Sequence, residues 1–294
     1  MERAQDFQET KQHGSVLFPF NIYPCTIPRD FPSVALHWHK SMELISVKKG
    51  RGLVQIGPQA MDAGGGDLFI LPPGTLHGLR GLPGQVMEYE NIIFDVSFLG
   101  SGAADICAQQ YLVPLAAGQL ALPRRLQPGQ GGYSQVSACL ADVEFLCGER
   151  GEGYELGVKA AMLQCLFLLL RMQPDPVAAE PPGTARLKAV LQQVEENYAQ
   201  PLTVGRMAAC CGCSTSHFMR WFKKMTGSSF IAYLNERRLA AAAERLRQSD
   251  DTVLCIAGEV GFENLSNFNR YFKLRYGVTP REYRRGFQRG AQRA

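Results

Sequence analysis

Apolar and polar positions change rhythm along this chain, and the changes divide it into regions. From residue 15 to about 100 the apolar residues come in short runs broken by glycine and proline: Ala35–His39, Met42–Val47, Leu53–Ile56, Asp67–Leu71 and Tyr89–Phe94. Such runs between turn-forming residues predict strands, and several in close succession predict a small all-β barrel or sandwich. Over 134–149 and 155–172 the rhythm lengthens. Val136, Leu140, Val143 and Leu146, then Leu156, Ala160, Leu163, Phe167 and Leu170, recur at helical spacing and predict two helices. The stretch Pro174–Gly183, PDPVAAEPPG, reads as a linker, because its prolines stop helix propagation and it offers few groups to bury. Beyond it the chain reads as helices joined by short turns.

That last region contains an internal repeat. Ala208 and Gly212 recur as Ala257 and Gly261, an offset of 49. Phe218, Arg220, Phe222, Lys223, Gly227 and Tyr233 then recur as Phe268, Arg270, Phe272, Lys273, Gly277 and Tyr283, an offset of 50. Each copy reads as helix, glycine-containing turn, helix. Val204–Cys211 and Thr215–Met225 form the first pair, with Ser214 as N-cap. Val253–Val260 and a helix running to Arg275, capped by Asn264 or Ser266, form the second. In each second helix two phenylalanines at i and i+4 predict an inner face. The opposite faces carry Thr215, Ser216, Met219, Arg220 and Lys223, and Leu265, Ser266, Asn269, Arg270 and Lys273.

Charge makes those faces more pointed. The net charge of +4 conceals an asymmetry: residues 1–183 hold 13 Lys/Arg against 18 Asp/Glu, and residues 184–294 hold 18 against 9. A basic segment joined to an acidic one predicts a polyanionic partner for the basic one. Arginine can pair with guanine and asparagine with adenine in the major groove, while serine and lysine reach base edges or phosphates. The intervening helix Phe230–Gln248 has nineteen residues, about 28 Å at 1.5 Å per residue. That length suits placing both outer faces in major-groove segments about 34 Å apart.

The run IAGEVGFENLSNFNRYFKLRYGVTPREYR, residues 256–284, resembles the signature of the AraC/XylS family of bacterial transcription regulators, and the resemblance extends over about Leu187–Arg285. It implies base-reading roles for Ser216, Met219 and Arg220 in the first unit, and for Leu265, Ser266, Asn269 and Arg270 in the second. Lys223 and Lys273 join them as DNA-binding candidates. Met219 and Leu265 are apolar, which suits contact with thymine methyl groups.

A second constellation lies upstream. The spacing His37-x-His39-x3-Glu43-x6-Gly50, followed by Gly66-x5-Pro72-x-Gly74-x2-His77, resembles the two cupin motifs, with Phe31 and Gly81 standing where those motifs carry glycine and asparagine. Alternation along a strand points His37 and His39 to one side, into a barrel. Three imidazoles and a carboxylate can hold Fe, Mn, Ni or Zn, so His37, His39, Glu43 and His77 are candidate metal ligands. Regulators of the AraC type imply a different use, a metal-free pocket for a polar effector such as a sugar. There the same four residues would hydrogen-bond the effector, with Trp38, Tyr23 and Tyr89 as stacking surfaces. Purely structural histidines are the third reading.

These readings assemble into an α+β, two-domain chain. Residues 1–130 form a cupin-like effector-binding β-barrel, 131–173 a helical pair, 174–184 a linker and 185–294 an all-α domain of two helix-turn-helix units joined by a long helix. The function expected is a sequence-specific, effector-responsive transcription regulator, not an enzyme; the alternative is a metal-dependent cupin enzyme fused to a DNA-binding domain. No cofactor is expected; a divalent metal in the barrel is the alternative to a metal-free pocket. The expected partners are promoter DNA, a small-molecule effector, a second copy of the chain packed through the helical pair and, for an activator, RNA polymerase. The polar N-terminus and the shortness of the apolar stretch Ala160–Leu170 give no membrane partner, leaving the cytoplasm as the expected location. Nine scattered cysteines predict reduced, mostly buried thiols. Cys210, Cys211 and Cys213, with His217 nearby, read as helix packing ahead of a zinc or redox site.

Overall fold

Strand β3 (Met42–Ile56) has six consecutive buried residues at its start, and the N-terminal unit is built around it. The computed structural model describes residues 13–15, 17–57, 59–100, 105–172 and 183–291. Contacts divide the chain into two units, with the division at Pro181/Pro182. The expected linker lies outside the described residues except for Gly183 and Thr184, and Thr184 already opens a helix.

In the first unit, β1 (Phe20–Ile27), β2 (Ser33–His37), β3, β4 (Gln59–Gly64), β5 (Leu68–Leu71), β6 (His77–Gly81), β7 (Met87–Phe94) and β8 (Arg125–Leu126) pair antiparallel throughout. The first half of β3 lies between β5 and β7, and its second half between β4 and β6. One strand therefore belongs to both walls, with a register irregularity at Val47–Lys49 between its two halves. Strands β1, β4, β6 and β8 were not marked by the apolar runs. Their burial is partial or alternates with exposed residues, so no continuous apolar run signals them.

The double burial of β3 has a simple origin. Ile45 and Val47 point inward, where they join Ile27, Val54, Phe69, Leu79 and Tyr89 in the barrel core. Met42 and Leu44 point outward and meet α2 (Tyr133–Glu149) and α3 (Tyr154–Arg171) through Val136, Leu140, Val143, Val158, Met162 and Leu166. Lys48 adds an ion-paired tie from the barrel to the helices, reaching Glu90 at 2.9 Å and Glu144 of α2 at 2.7 Å.

The second unit is all helix: α4 (Thr184–Asn197), α5 (Val204–Cys210), α6 (Thr215–Thr226), α7 (Phe230–Gln248), α8 (Val253–Glu259), α9 (Leu265–Tyr276) and α10 (Pro280–Ala291). The duplication extends to the cap chemistry. Thr203 and Thr252 cap α5 and α8, Ser214 and Asn264 cap α6 and α9, and Gly227 and Gly277 end them. Phe218, Phe222, Phe268 and Phe272 are completely buried. Arg237 of α7 holds Glu195 of α4 and stacks 4.3 Å from the Tyr198 ring, while Arg238 donates to the carbonyls of Tyr198 and Gln200. The two turn glycines differ in their surroundings. Gly212 (φ +61°) borders open space, whereas a Cβ on Gly261 (φ +93°) would lie 2.9 Å from the carbonyl oxygens of Tyr198 and Ala199.

All nine cysteines are free, but only Cys139 and Cys165 are buried, so the expectation of mostly buried thiols is corrected. Cys25 on β1 and Cys147 on α2 are partly buried against the two cores of the first unit, and Cys107, Cys210 and Cys255 are exposed. Burial, with Cys139 adding, pushes the Cys165 thiol up to about 12, which leaves it unreactive. Replacing Phe272 with Ala should cost about 3–5 kcal/mol, by loss of transfer energy plus an unfilled cavity. Denaturant unfolding of the full chain, followed by helical circular dichroism, checks this.

Candidate functional site

The barrel brings together all four residues of the spaced His/Glu set. His37 ends β2, His39 and Glu43 flank the entry to β3, and His77 opens β6; one ligating atom from each lies within 4.8 Å of the others. Glu43, His39 and His77 are buried and His37 is half-exposed. Backbone carbonyls orient all three rings: His37 Nδ1 lies 2.9 Å from the Ala35 oxygen, His39 Nδ1 2.9 Å from Ser41, and His77 Nδ1 2.8 Å from Thr75. A carbonyl only accepts, so each Nδ1 carries the proton and each Nε2 is the atom left for other chemistry. Nε2 of His39 and of His77 lie 2.8 and 2.9 Å from the same Glu43 oxygen. Burial alone would raise the Glu43 pKa, but the two imidazoles outweigh it and hold the carboxyl well below its usual range.

The donor set therefore fits a metal ion. It offers three nitrogen donors and one ionised carboxylate, converging, with the second nitrogen of every ring fixed by a carbonyl as metal-binding histidines require. It also fits a ligand that donates hydrogen bonds to Glu43.

Other expected effector contacts separate. Trp38 is half-buried beside the set, and Tyr23 lies on the inner wall of β1. Tyr89 is 1% exposed and belongs to the barrel core. Paired with Cys25 and Val47, its ring turns inward, onto the wall that also carries Glu43. Two residues escaped the sequence reading. His13 is buried with Nδ1 3.1 Å from the Tyr23 hydroxyl and its ring centroid 6.3 Å from that of His39. It stands 24 residues before His37 and belongs to no spaced motif. Asn91 lies opposite Tyr23 and Ile45 on the inner wall, and its Oδ1 is buried with no hydrogen-bond partner among the described residues. An uncharged polar residue in step with Tyr89 on the inward positions of the run Tyr89–Phe94 is the signal for it.

On the second unit, Ser216, Met219, Arg220 and Lys223 of α6 and Ser266, Asn269, Arg270 and Lys273 of α9 are all exposed. Leu265 is half-buried and packs on the core formed by α7–α9, so only part of it faces outward. Arg270 folds over the Tyr271 ring at 4.8 Å. The positive charge of this unit has two uses. Arg275 pairs with Glu236, Arg245 with Glu259 and Asp251, and Arg284 donates to the Asp251 carbonyl, all within the fold. Among the described residues no ion pair engages Arg220, Lys223, Arg270 or Lys273. Cys210, Cys211, Cys213 and His217 form no ligand cluster among the described residues; the His37–His39–Glu43–His77 group is the one found there.

A duplicated helix-turn-helix unit with outward cations, carried on the same chain as a histidine-lined barrel, defines a DNA-binding regulator with a separate input domain. The chain belongs to the AraC family of transcription regulators. Residues 22–166 match the family model described as an AraC-like ligand binding domain, and residues 207–286 match an AraC-type helix-turn-helix domain. The HTH-type transcriptional regulator YdeC of Bacillus subtilis is 22% identical over 288 residues, covering 96% of this chain and 97% of that protein. The HTH-type transcriptional activator RhaS of Klebsiella pneumoniae is 25% identical, covering 93% and 96%. The multiple antibiotic resistance protein MarA of Escherichia coli is 32% identical over 107 residues, covering 36% of this chain and 84% of its own. The chain is thus a DNA-binding transcription regulator with a ligand-binding domain. Among the described residues no helix is long and apolar enough to cross a membrane.

Asn91→Leu removes a buried oxygen that has no hydrogen-bond partner among the described residues, so it should stabilise the purified protein by about 1 kcal/mol. Chemical denaturation monitored through the β-rich unit measures it; a loss of stability would show that Asn91 is satisfied by another group.

Proposed function

We propose that both helix-turn-helix units read promoter DNA in successive major-groove segments, and that occupancy of the barrel centre sets how they do so. The observation that carries the reading is the division of cations in the second unit. Arginines that brace the fold are paired internally, while Arg220, Lys223, Arg270 and Lys273 stand exposed on the two duplicated outer faces, in no ion pair among the described residues. Ser216, Ser266 and Asn269 share those faces, and Met219 and the outward part of Leu265 supply apolar contact. Asn269 and Arg270 make α9 the richer reader, suited to an adenine and a guanine.

The input ligand is held at His37, His39, Glu43 and His77, with Trp38 beside them. YdeC and RhaS are transcription regulators by name, which supports sensing over catalysis at this centre, in a cytoplasmic protein. Ligand control requires that the ligand bind two arrangements of the chain unequally.

A homodimer through α2 and α3 is supported by the apolar groups those helices leave exposed. Their inner stripe is used against the sheet, yet Phe145, Leu156, Leu163 and Phe167 remain 39–74% exposed. Phe167→Glu should shift the chain from dimer to monomer in sedimentation velocity without changing its circular dichroism.

For DNA reading, Arg270→Ala should weaken binding by about 1–3 kcal/mol and relax preference at one base pair. Lys273→Ala should weaken binding to all sequences alike and lower the salt slope by about 1. Gel shifts on the upstream DNA of neighbouring genes, with salt titration, read both; binding that ignores sequence would overturn the assignment.

A further inference from the structure

Helices α5 and α8 end in the same way. The amide of Gly212 donates to the Ala209 carbonyl at 3.0 Å and that of Cys213 to Ala208 at 3.0 Å; Gly261 donates to Gly258 at 3.0 Å and Phe262 to Ala257 at 2.9 Å. In such a glycine-ended helix the residue after the glycine commonly packs an apolar side chain back onto the helix. The second unit does so: Val260 is 1% and Phe262 9% exposed, and the Phe262 ring centroid lies 5.3 Å from that of Phe268. The first unit has Cys211 and Cys213 at the matching positions. Both are only half-buried, with Cys210 exposed beside them. Fully burying a valine or phenylalanine side chain stabilises by about 1.5–3 kcal/mol, and the first turn does without that gain at both positions. Core packing therefore does not account for the thiols.

Their spacing suits another chemistry. Two Cα atoms separated by one residue lie within about 7 Å of each other, and a turn brings them into the roughly 4.4–6.8 Å that a disulfide spans. Gly212, between the two cysteines, has a φ of +61° and borders open space, so the backbone has both the freedom and the room to close such a ring. The second turn has neither the sulfurs nor the space, because Gly261 meets the carbonyls of Tyr198 and Ala199. A ring closed over a single residue is strained, which places it with the readily reduced, regulatory disulfides and not with the structural ones. Burial, and next the neighbouring Cys213, raise the Cys211 thiol, so Cys211 is the second of the pair to react.

We propose that Cys211 and Cys213 form a thiol–disulfide switch in the turn of the first helix-turn-helix unit, oxidised by exchange with a small-molecule disulfide. The Cys213 thiol loses its proton and attacks one sulfur of the small disulfide, forming a mixed disulfide and releasing one thiolate, which takes up that proton. The Cys211 thiol then loses its proton and attacks the Cys213 sulfur. The bond to the small molecule breaks, the Cys211–Cys213 bond forms, and the second small thiol leaves with the proton. The protein gives up two electrons and the small disulfide is reduced to two thiols. Ring closure pulls on Ser214, the next residue, whose hydroxyl accepts the His217 amide at 3.3 Å and caps α6. That helix carries Ser216, Met219, Arg220 and Lys223, so the consequence for DNA rests on the reading of its outer face given above: oxidation weakens the grip of the first unit and leaves α9 as it is.

The test uses the full chain, reduced, freed of reductant and equilibrated without oxygen in mixtures of reduced and oxidised glutathione. After alkylation and digestion, the peptide Met207–Arg220 should be lighter by two hydrogens and carry one label, on Cys210. This map is made on the unaltered chain and does not depend on a variant folding. Gel shifts on the same samples should show specific DNA binding reduced by about tenfold or more, the equivalent of at least one lost base contact, and restored by dithiothreitol. Cys211→Ser and Cys213→Ser should each bind as the reduced chain does under both conditions, while Cys210→Ser should respond as the unaltered chain does. A disulfide that forms elsewhere or nowhere overturns the inference, as does one that leaves DNA binding unchanged or an oxidation effect that persists in Cys213→Ser. A reduced chain without sequence preference is a separate failure: it sinks the reading face, and the peptide map still decides the disulfide.

Discussion

A strand with no solvent face must satisfy two partners at once, and β3 does so over Met42–Val47. Its even-numbered side chains support the helical pair, its odd-numbered ones fill the barrel, and the backbone between them is locked on both edges by β5 and β7. Glu43 lies in this stretch. Its ionised carboxylate is tolerated in a buried position because His39 and His77 compensate it, and because its strand cannot slip: a one-residue shift would carry the charge into the helix interface. The position of the centre thus follows from sheet packing, with the histidines delivered to it by the ends of neighbouring strands.

The second unit uses repetition to a similar end. Two pairs of phenylalanines bury the inner faces of α6 and α9, and capping residues fix where each helix begins and ends. Once the inner faces are committed, the outer faces project by geometry alone. Internal ion pairs consume Arg237, Arg245 and Arg275, which separates charge that braces the bundle from charge offered to a polyanion.

Much of this was legible in sequence where a signal was periodic or spaced. The helix Phe230–Gln248, the caps Ser214 and Asn264, and the two helices before the linker stand out because helical periodicity and capping are local properties. The gathering of His37, His39, Glu43 and His77 was readable from motif spacing. Other features depended on three dimensions. β1 and β6 pair through partly exposed segments whose own residues do not alternate cleanly. The inward placement of Tyr89 depends on which wall β7 presents, and the approach of His13 to His39 on how the chain turns before β1. Net charge counted every arginine alike, although contacts distinguish those that are already paired.

Gene duplication leaves copies that start equal, but the turn glycines show that the two are no longer equally free to vary. Open space around Gly212 admits a residue that tolerates left-handed backbone, such as asparagine, at little expense. At Gly261 any side chain meets the carbonyls of Tyr198 and Ala199, so the second turn is pinned to the segment that follows α4. Heritable change in operator preference therefore has an easier route through the first unit, which can adjust its turn and its reader together, while the second serves as the fixed point about which such drift occurs.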